Sequence, residues 1–220
     1  MGKLPRDFYT RGTLEVAKDL LGKILVHETP EGITKGKIVE VEAYCGVSDK
    51  GAHAYGGLRT DRTEIMFGPG GFSYVYLIYG MHSCMNIVTE KKEVPECVFL
   101  RALEPVEGIE LMKKRRKTDK LKNLCNGPGK LCQAMGIDRS CYGLDLLGGQ
   151  LYVEEPERGG EKSKRQETDL EKSGKKSLRQ EANPVEIVAS KRINIDYAQE
   201  AKDFLWRFSI KGNPFVSAKV

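Results

Sequence analysis

The sequence predicts a single mixed α+β domain in which a mostly antiparallel, curved sheet is flanked by helices. Two observations lead there. Strand-like runs follow one another through short turns more often than through strand–helix–strand crossovers, which favours antiparallel pairing. A chain of 220 residues with 40% hydrophobic content is long enough for one sizeable core, so residues 1–220 are expected to form one domain.

Taken in order, Thr13 is placed to cap a first helix, LEVAKDLL, and Gly22 to stop it. Two strand-like runs follow, KILVHET and ITKGKIVEVEAY. They are separated by Pro30, Glu31 and Gly32 and read as a hairpin. A glycine-rich loop covers about Gly46 to Gly71 and ends in the aromatic strand FSYVYLIY, with CMNIVT after the turn at Gly80. The strand CVFLRALEP leads into a helix, VEGIELMKKRR, whose basic end suits the helix dipole. A short helix containing LCQAMG starts near Gly129, and strand signals return at LYVEE, VEIVAS and FLWRFSIKG. Between them, Pro156–Asn183 has almost no aliphatic residues and mixes lysine with glutamate. Unable to bury apolar surface, it is expected to be a charged, flexible insertion loop.

Composition narrows the function classes. The net charge of +5 permits a polyanionic partner without demanding one. No apolar run reaches membrane-spanning length, and MGKLPRDFYTRG lacks the apolar core of a signal peptide. The chain is therefore expected to stay in the compartment where it is made. The six cysteines, Cys45, Cys84, Cys97, Cys125, Cys132 and Cys141, contain no CxxC pair and read as reduced thiols. Cys125, Cys132 and Cys141 cluster, but an iron–sulfur centre needs a fourth ligand. No metal and no cofactor are expected.

The chemistry-bearing residues lie in four runs. In Lys37–Tyr44, alternation puts Val39, Val41 and Ala43 on one face and Glu40, Glu42 and Tyr44 on the other. The plainest reading leaves those acids in water. Arg101 sits in the apolar run VFLRAL and, if buried, needs a carboxylate, with Glu42 and the adjacent Glu104 as candidates. Tyr79 and Met81 fall at a hairpin tip, where exposed apolar side chains serve minor-groove proteins as wedges. Alternatively, Tyr79 folds back onto its own hairpin. Tyr44 and Tyr76 offer flat faces for stacking a base. His53 could hydrogen-bond that base or be purely structural.

The strings VEAY, GAHAYGG, YVYLIYGMHSCMN, LRALEP and GPGKLCQAMGI occur in this order. With them the chain resembles the alkyladenine (3-methyladenine) DNA glycosylase family from Leu4 to Val220, except in the Pro156–Asn183 loop. The resemblance implies a monofunctional DNA repair glycosylase that flips alkylated purines, 3-methyladenine among them, from double-stranded DNA and hydrolyses the N-glycosidic bond, leaving an abasic site. It implies Glu42 as the general base that activates water, and Arg101 as the residue that helps position it. It further implies Tyr44, His53 and Tyr76 as base contacts, and Asn86 as the screen against the guanine amino group. Tyr79 intercalates, with Met81 beside it at the tip. At His82 the sequence departs from the aromatic residue of a vertebrate relative. A monomer is implied, working in the cytoplasm at the nucleoid of a bacterium or archaeon, or in the nucleus of a eukaryote. A positively charged alkylated purine leaves without a proton donor, so one carboxylate is sufficient, whereas glycosidases with neutral leaving groups use two. A damage-binding protein without catalysis would lack the base, and an RNA-binding module would show an aromatic motif on a sheet face. Excision assays on duplex DNA with matched RNA separate the three.

Overall fold

The architecture is organised around one long strand. In the computed structural model, which describes residues 2–156 and 185–218, the strands are β1 (Ile24–Thr29), β2 (Gly32–Tyr44), β3 (Ser73–Ile78), β4 (His82–Thr89), β5 (Glu96–Glu107), β6 (Leu151–Glu154), β7 (Ile187–Ser190) and β8 (Arg207–Ile210). They run in the order β3-β4-β5-β2-β1-β6, with β8 also on β2 and β7 on β8. Every pairing between them is antiparallel. The sheet curls into a half-barrel, as the antiparallel α+β expectation requires.

β2 is 13 residues long and pairs with β5 along one edge. Its other edge is shared: β1 takes the first half, with Val26 opposite Lys35, and β8 takes the second, with Glu42 opposite Arg207. A bulge makes the division possible. Against β5, Ile38 faces Leu103 and Glu40 faces Ala102, so Val39 is the extra residue. Such an insertion bends the strand and increases its twist. It also breaks the expected alternation: the main core takes Ile38, Val41 and Ala43, while Val39 is buried outside that cluster.

The helices are α1 (Arg6–Tyr9), α2 (Thr13–Leu20), α3 (Ile109–Arg116) and α4 (Pro128–Met135). α2 buries Val16, Ala17 and Leu20 against β2 and β5. Its N-cap is Gly12, not Thr13, which is the first helical residue and whose hydroxyl bonds that of Thr89 at 2.6 Å. The helix expected from Val106 begins only at Ile109, since β5 runs on to Glu107. The break falls at Gly108, with φ +74°, where a Cβ would lie 2.2 Å from the Ile33 carbonyl oxygen. The basic end of α3 is engaged within the fold: Arg115 binds Glu31 and the Ala134 carbonyl, and Arg116 binds the Leu124 carbonyl. α4 packs on β4 and ends at Gly136, φ +72°.

All six cysteines are free thiols, and Cys125, Cys132 and Cys141 pack in the main core as small apolar side chains. Among the described residues, no His, Cys, Asp and Glu side chains are grouped to hold a metal ion, and no helix is long and apolar enough to cross a membrane. Apart from Pro156, the expected insertion loop lies outside the described residues.

Candidate active site

The sheet buries two carboxylates side by side. Glu40 and Glu42 are both fully buried: Arg101, Arg207 and Ser217 close on Glu40, and Arg101, Tyr44 and Ile193 close on Glu42. The reading that leaves them in water is therefore wrong. Arg101 on β5 lies between them, with Nε 3.2 Å from Glu40 Oε1 and Nη1 3.2 Å from Glu42 Oε1. Glu104, the other candidate partner of Arg101, instead binds Lys37 at 2.6 Å and Asn213.

The two acids have different surroundings. Glu40 accepts hydrogen bonds from Arg101, from Arg207 on β8, and from both the hydroxyl and the backbone N–H of Ser217. Glu42 Oε1 accepts the backbone N–H of Ile193 at 2.8 Å in addition to its ion pair with Arg101. Its Oε2 accepts the Tyr44 hydroxyl at 3.0 Å. Burial pushes the Glu42 carboxyl above its ordinary value, outweighing the opposing pull of Arg101, the Ile193 N–H and the Tyr44 hydroxyl.

A cavity of about 600 Å³ opens in front of this pair, within the usual size of small-molecule sites. Tyr44, Arg101 and Ile193, the three partners of Glu42, all line it. Its aromatic wall is Tyr44, Tyr74 and Tyr76, with His53 set edge-on to Tyr76 at 4.7 Å between ring centres. His53 Nδ1 is 2.7 Å from the Tyr74 hydroxyl. Burial, with a smaller push from the Arg62 charge, lowers the His53 pKa to about 4, so the ring is neutral near pH 7. Asn86 is fixed at both ends of its amide: Nδ2 donates to the Tyr74 carbonyl at 3.2 Å, and Oδ1 accepts the Cys97 thiol at 3.6 Å.

The β3–β4 turn borders the same cavity. Tyr79 and Gly80 both have positive φ, +52° and +68°, and Met81 N–H closes the turn on the Ile78 carbonyl at 3.2 Å. Ile78 pairs with His82, so the strands are joined by a tight three-residue loop, Tyr79–Met81. It leaves Tyr79 81% and Met81 75% exposed, so Tyr79 does not fold back on its hairpin.

Of the sequence-predicted residues, Arg101, Tyr44, His53, Tyr76, Asn86 and Tyr79 line one cavity; Glu42 does not line it but lies behind it, in contact with Tyr44, Ile193 and Arg101, and Met81 lies on the tip. Four others were not found in the sequence. Arg192 and Asp49 form a fully buried two-pronged ion pair. Arg192 also lies over the Tyr44 ring at 4.7 Å, and Asp49 accepts the N–H groups of Cys45 and Gly51. Arg207 and Ser217 close on Glu40. Each partner lies more than 140 residues from the acid it binds, and no local pattern marks it.

An aromatic-walled cavity, a buried carboxylate behind it and an exposed apolar hairpin tip at its mouth make this the candidate active site of a hydrolase. The sequence model of the methylpurine-DNA glycosylase (MPG) family matches residues 7–214. A protein of Clostridium acetobutylicum named "Putative 3-methyladenine DNA glycosylase" is 52% identical, over 98% of this chain and 97% of the relative. Proteins with the same name from Clostridium novyi (49%, all of both chains) and Bacillus cereus (50%, 98% of each) are similar. This chain belongs to the methylpurine-DNA glycosylase family and is a DNA glycosylase, a hydrolase of the N-glycosidic bond.

Proposed function

We propose that the enzyme takes an alkylated purine such as 3-methyladenine out of duplex DNA into the cavity, and that Glu42 activates the water that attacks its deoxyribose C1′. The observation that carries the reading is the setting of Glu42, a fully buried carboxylate whose three partners all line the cavity. Among the described residues, Oε2 receives one hydrogen bond, from Tyr44, and retains the capacity to accept another from water. Its raised proton affinity makes it a better base than a surface glutamate.

Each neighbour then has a physical role. Arg101 Nη1 orients water beside Glu42, and the carboxylate stabilises the oxocarbenium-like charge that develops on the sugar. Tyr44 and Tyr76 sandwich the flipped base while neutral His53 hydrogen-bonds it. Asn86, held rigid by Tyr74 and Cys97, meets an exocyclic 2-amino group with an amide that cannot turn away. Tyr79 fills the vacated stack, and Met81 rests in the minor groove. No second carboxylate serves as acid: Glu40 already accepts four hydrogen bonds, and a cationic purine needs no proton to leave.

The test is release of free 3-methyladenine from alkylated duplex DNA by the purified enzyme, with matched RNA as control. Release from DNA alone supports the reading. Binding of lesions without release would instead make the chain a damage-recognition protein.

A further inference from the structure

We propose that Glu40, anchored by Arg207 on β8 and by Ser217, is a positioning residue that aims Arg101 at Glu42. The inference rests on Glu42 being the base. It begins from the shape of the Arg101 side chain. A guanidinium is a rigid fork, and fixing its Nε edge fixes where its Nη atoms point. Glu40 holds that Nε at 3.2 Å, and the Ser217 hydroxyl lies 3.4 Å from Nη2, which leaves Nη1 directed at Glu42. Glu40 is itself held from three directions, by Arg101 on β5, by Arg207 on β8 at 3.1 Å and by Ser217 at 2.9 Å. Ser217 lies beyond the last strand, so the C-terminal segment closes on the back of the catalytic cluster. A buried carboxylate with this many donors is held far more firmly than a surface acid.

Charge balance gives Glu40 its second effect. Arg101 and Arg207 face Glu40 and Glu42, so two cations meet two anions. Glu42 is also faced by the Tyr44 hydroxyl and the Ile193 N–H, with Arg192 and Tyr197 nearby. With Glu40 ionised, the positive charge of Arg101 is shared between two acids, and Glu40 adds a like charge beside Glu42. Both effects keep the proton affinity of Glu42 up. Neutralising Glu40 leaves Arg101 to Glu42 alone and removes the like charge, so Glu42 becomes a weaker base.

The experiment measures single-turnover release of 3-methyladenine against pH for the full-length enzyme and for Glu40→Gln, Ser217→Ala and Glu42→Gln, with lesion binding and thermal unfolding recorded for each. Folded Glu40→Gln should release base about tenfold more slowly, with the acid limb moved down by roughly half a pH unit and lesion binding kept within about threefold. Ser217→Ala keeps the charge, so its rate should fall a few-fold with the acid limb in place. A wild-type rate and limb in folded Glu40→Gln would overturn the proposal, as would loss of binding in step with rate. If Glu40→Gln does not fold, Ser217→Ala decides, and a wild-type rate there overturns it. A near-normal rate in Glu42→Gln instead removes the base assignment, a different failure from that of Glu40.

Discussion

Removing Asp49 should destabilise the whole enzyme and slow it even where it remains folded. Asp49 and Arg192 are both fully buried. The carboxylate receives two guanidinium nitrogens and the backbone N–H groups of Cys45 and Gly51. In Asp49→Ala, Arg192 keeps only the Ala43 and Ala201 carbonyls, and a charge is stranded in the interior. Breaking a buried pair in this way costs about 3–5 kcal/mol. For a chain of this length, that lowers the unfolding midpoint by on the order of 10 °C. Because the pair is shielded from solvent, added salt should not change the difference. The double variant Asp49→Leu/Arg192→Met should recover only part of the loss, since the N–H groups and carbonyls it leaves behind still lack partners. Arg192 also lies over Tyr44 and precedes Ile193, so excision below the midpoint should fall as well. Thermal unfolding by circular dichroism, with excision on alkylated duplex, measures both effects. A drop of less than about 1 kcal/mol, or a loss abolished by salt, would refute the argument that this pair holds the site together.

Tyr79→Ser should weaken binding of lesion-containing duplex more than binding of undamaged DNA, because phosphate contacts supply the salt-dependent background. Equal lesion binding by both versions in a fluorescence titration would make Tyr79 a surface residue without that role. His53 is neutral down to about pH 4, so His53→Gln should lower excision while leaving the acid limb of the pH–rate profile in place. A displaced limb would make His53 the titrating group. Activity should survive chelator, since the cysteines pack as apolar side chains and the proposed base is a carboxylate. Inactivation reversed by added metal would contradict this.

The part of this architecture that is local was legible in the sequence. Gly80 marks the turn in the sequence, and the strands on either side of it are where they were expected. Alternation placed Glu40, Glu42 and Tyr44 together, and both acids do reach Arg101. What it could not show is that Arg207, Ser217 and Ile193 return from more than 150 residues away to close on these acids, turning two apparently solvated carboxylates into buried ones. The bulge at Val39 was also invisible, because apolar residues on both sides of it mask the change of parity. The 3-10 run Asp196–Asp203, which brings Tyr197 to the cavity, was not read from the sequence, its buried face being made only of Ala198 and Ala201. The site roles came from ordered motifs shared with a family, whereas Asp49, Arg192, Arg207 and Ser217 emerged only once long-range pairings were in view.

The central claim is that Glu42 is the base, and Glu42→Gln tests it most directly. The amide keeps the size of the side chain and can still meet the Tyr44 hydroxyl and the Ile193 N–H, but it cannot take a proton from water. Arg101 then loses one of its two carboxylates and keeps Glu40, so the fold should hold. The measurement is single-turnover release of 3-methyladenine from alkylated duplex DNA by a variant whose unfolding midpoint and lesion affinity have been recorded. The account predicts retained lesion binding with release slowed by roughly a hundredfold or more. Release near the wild-type rate by folded Glu42→Gln would contradict it and require another carboxylate as the base.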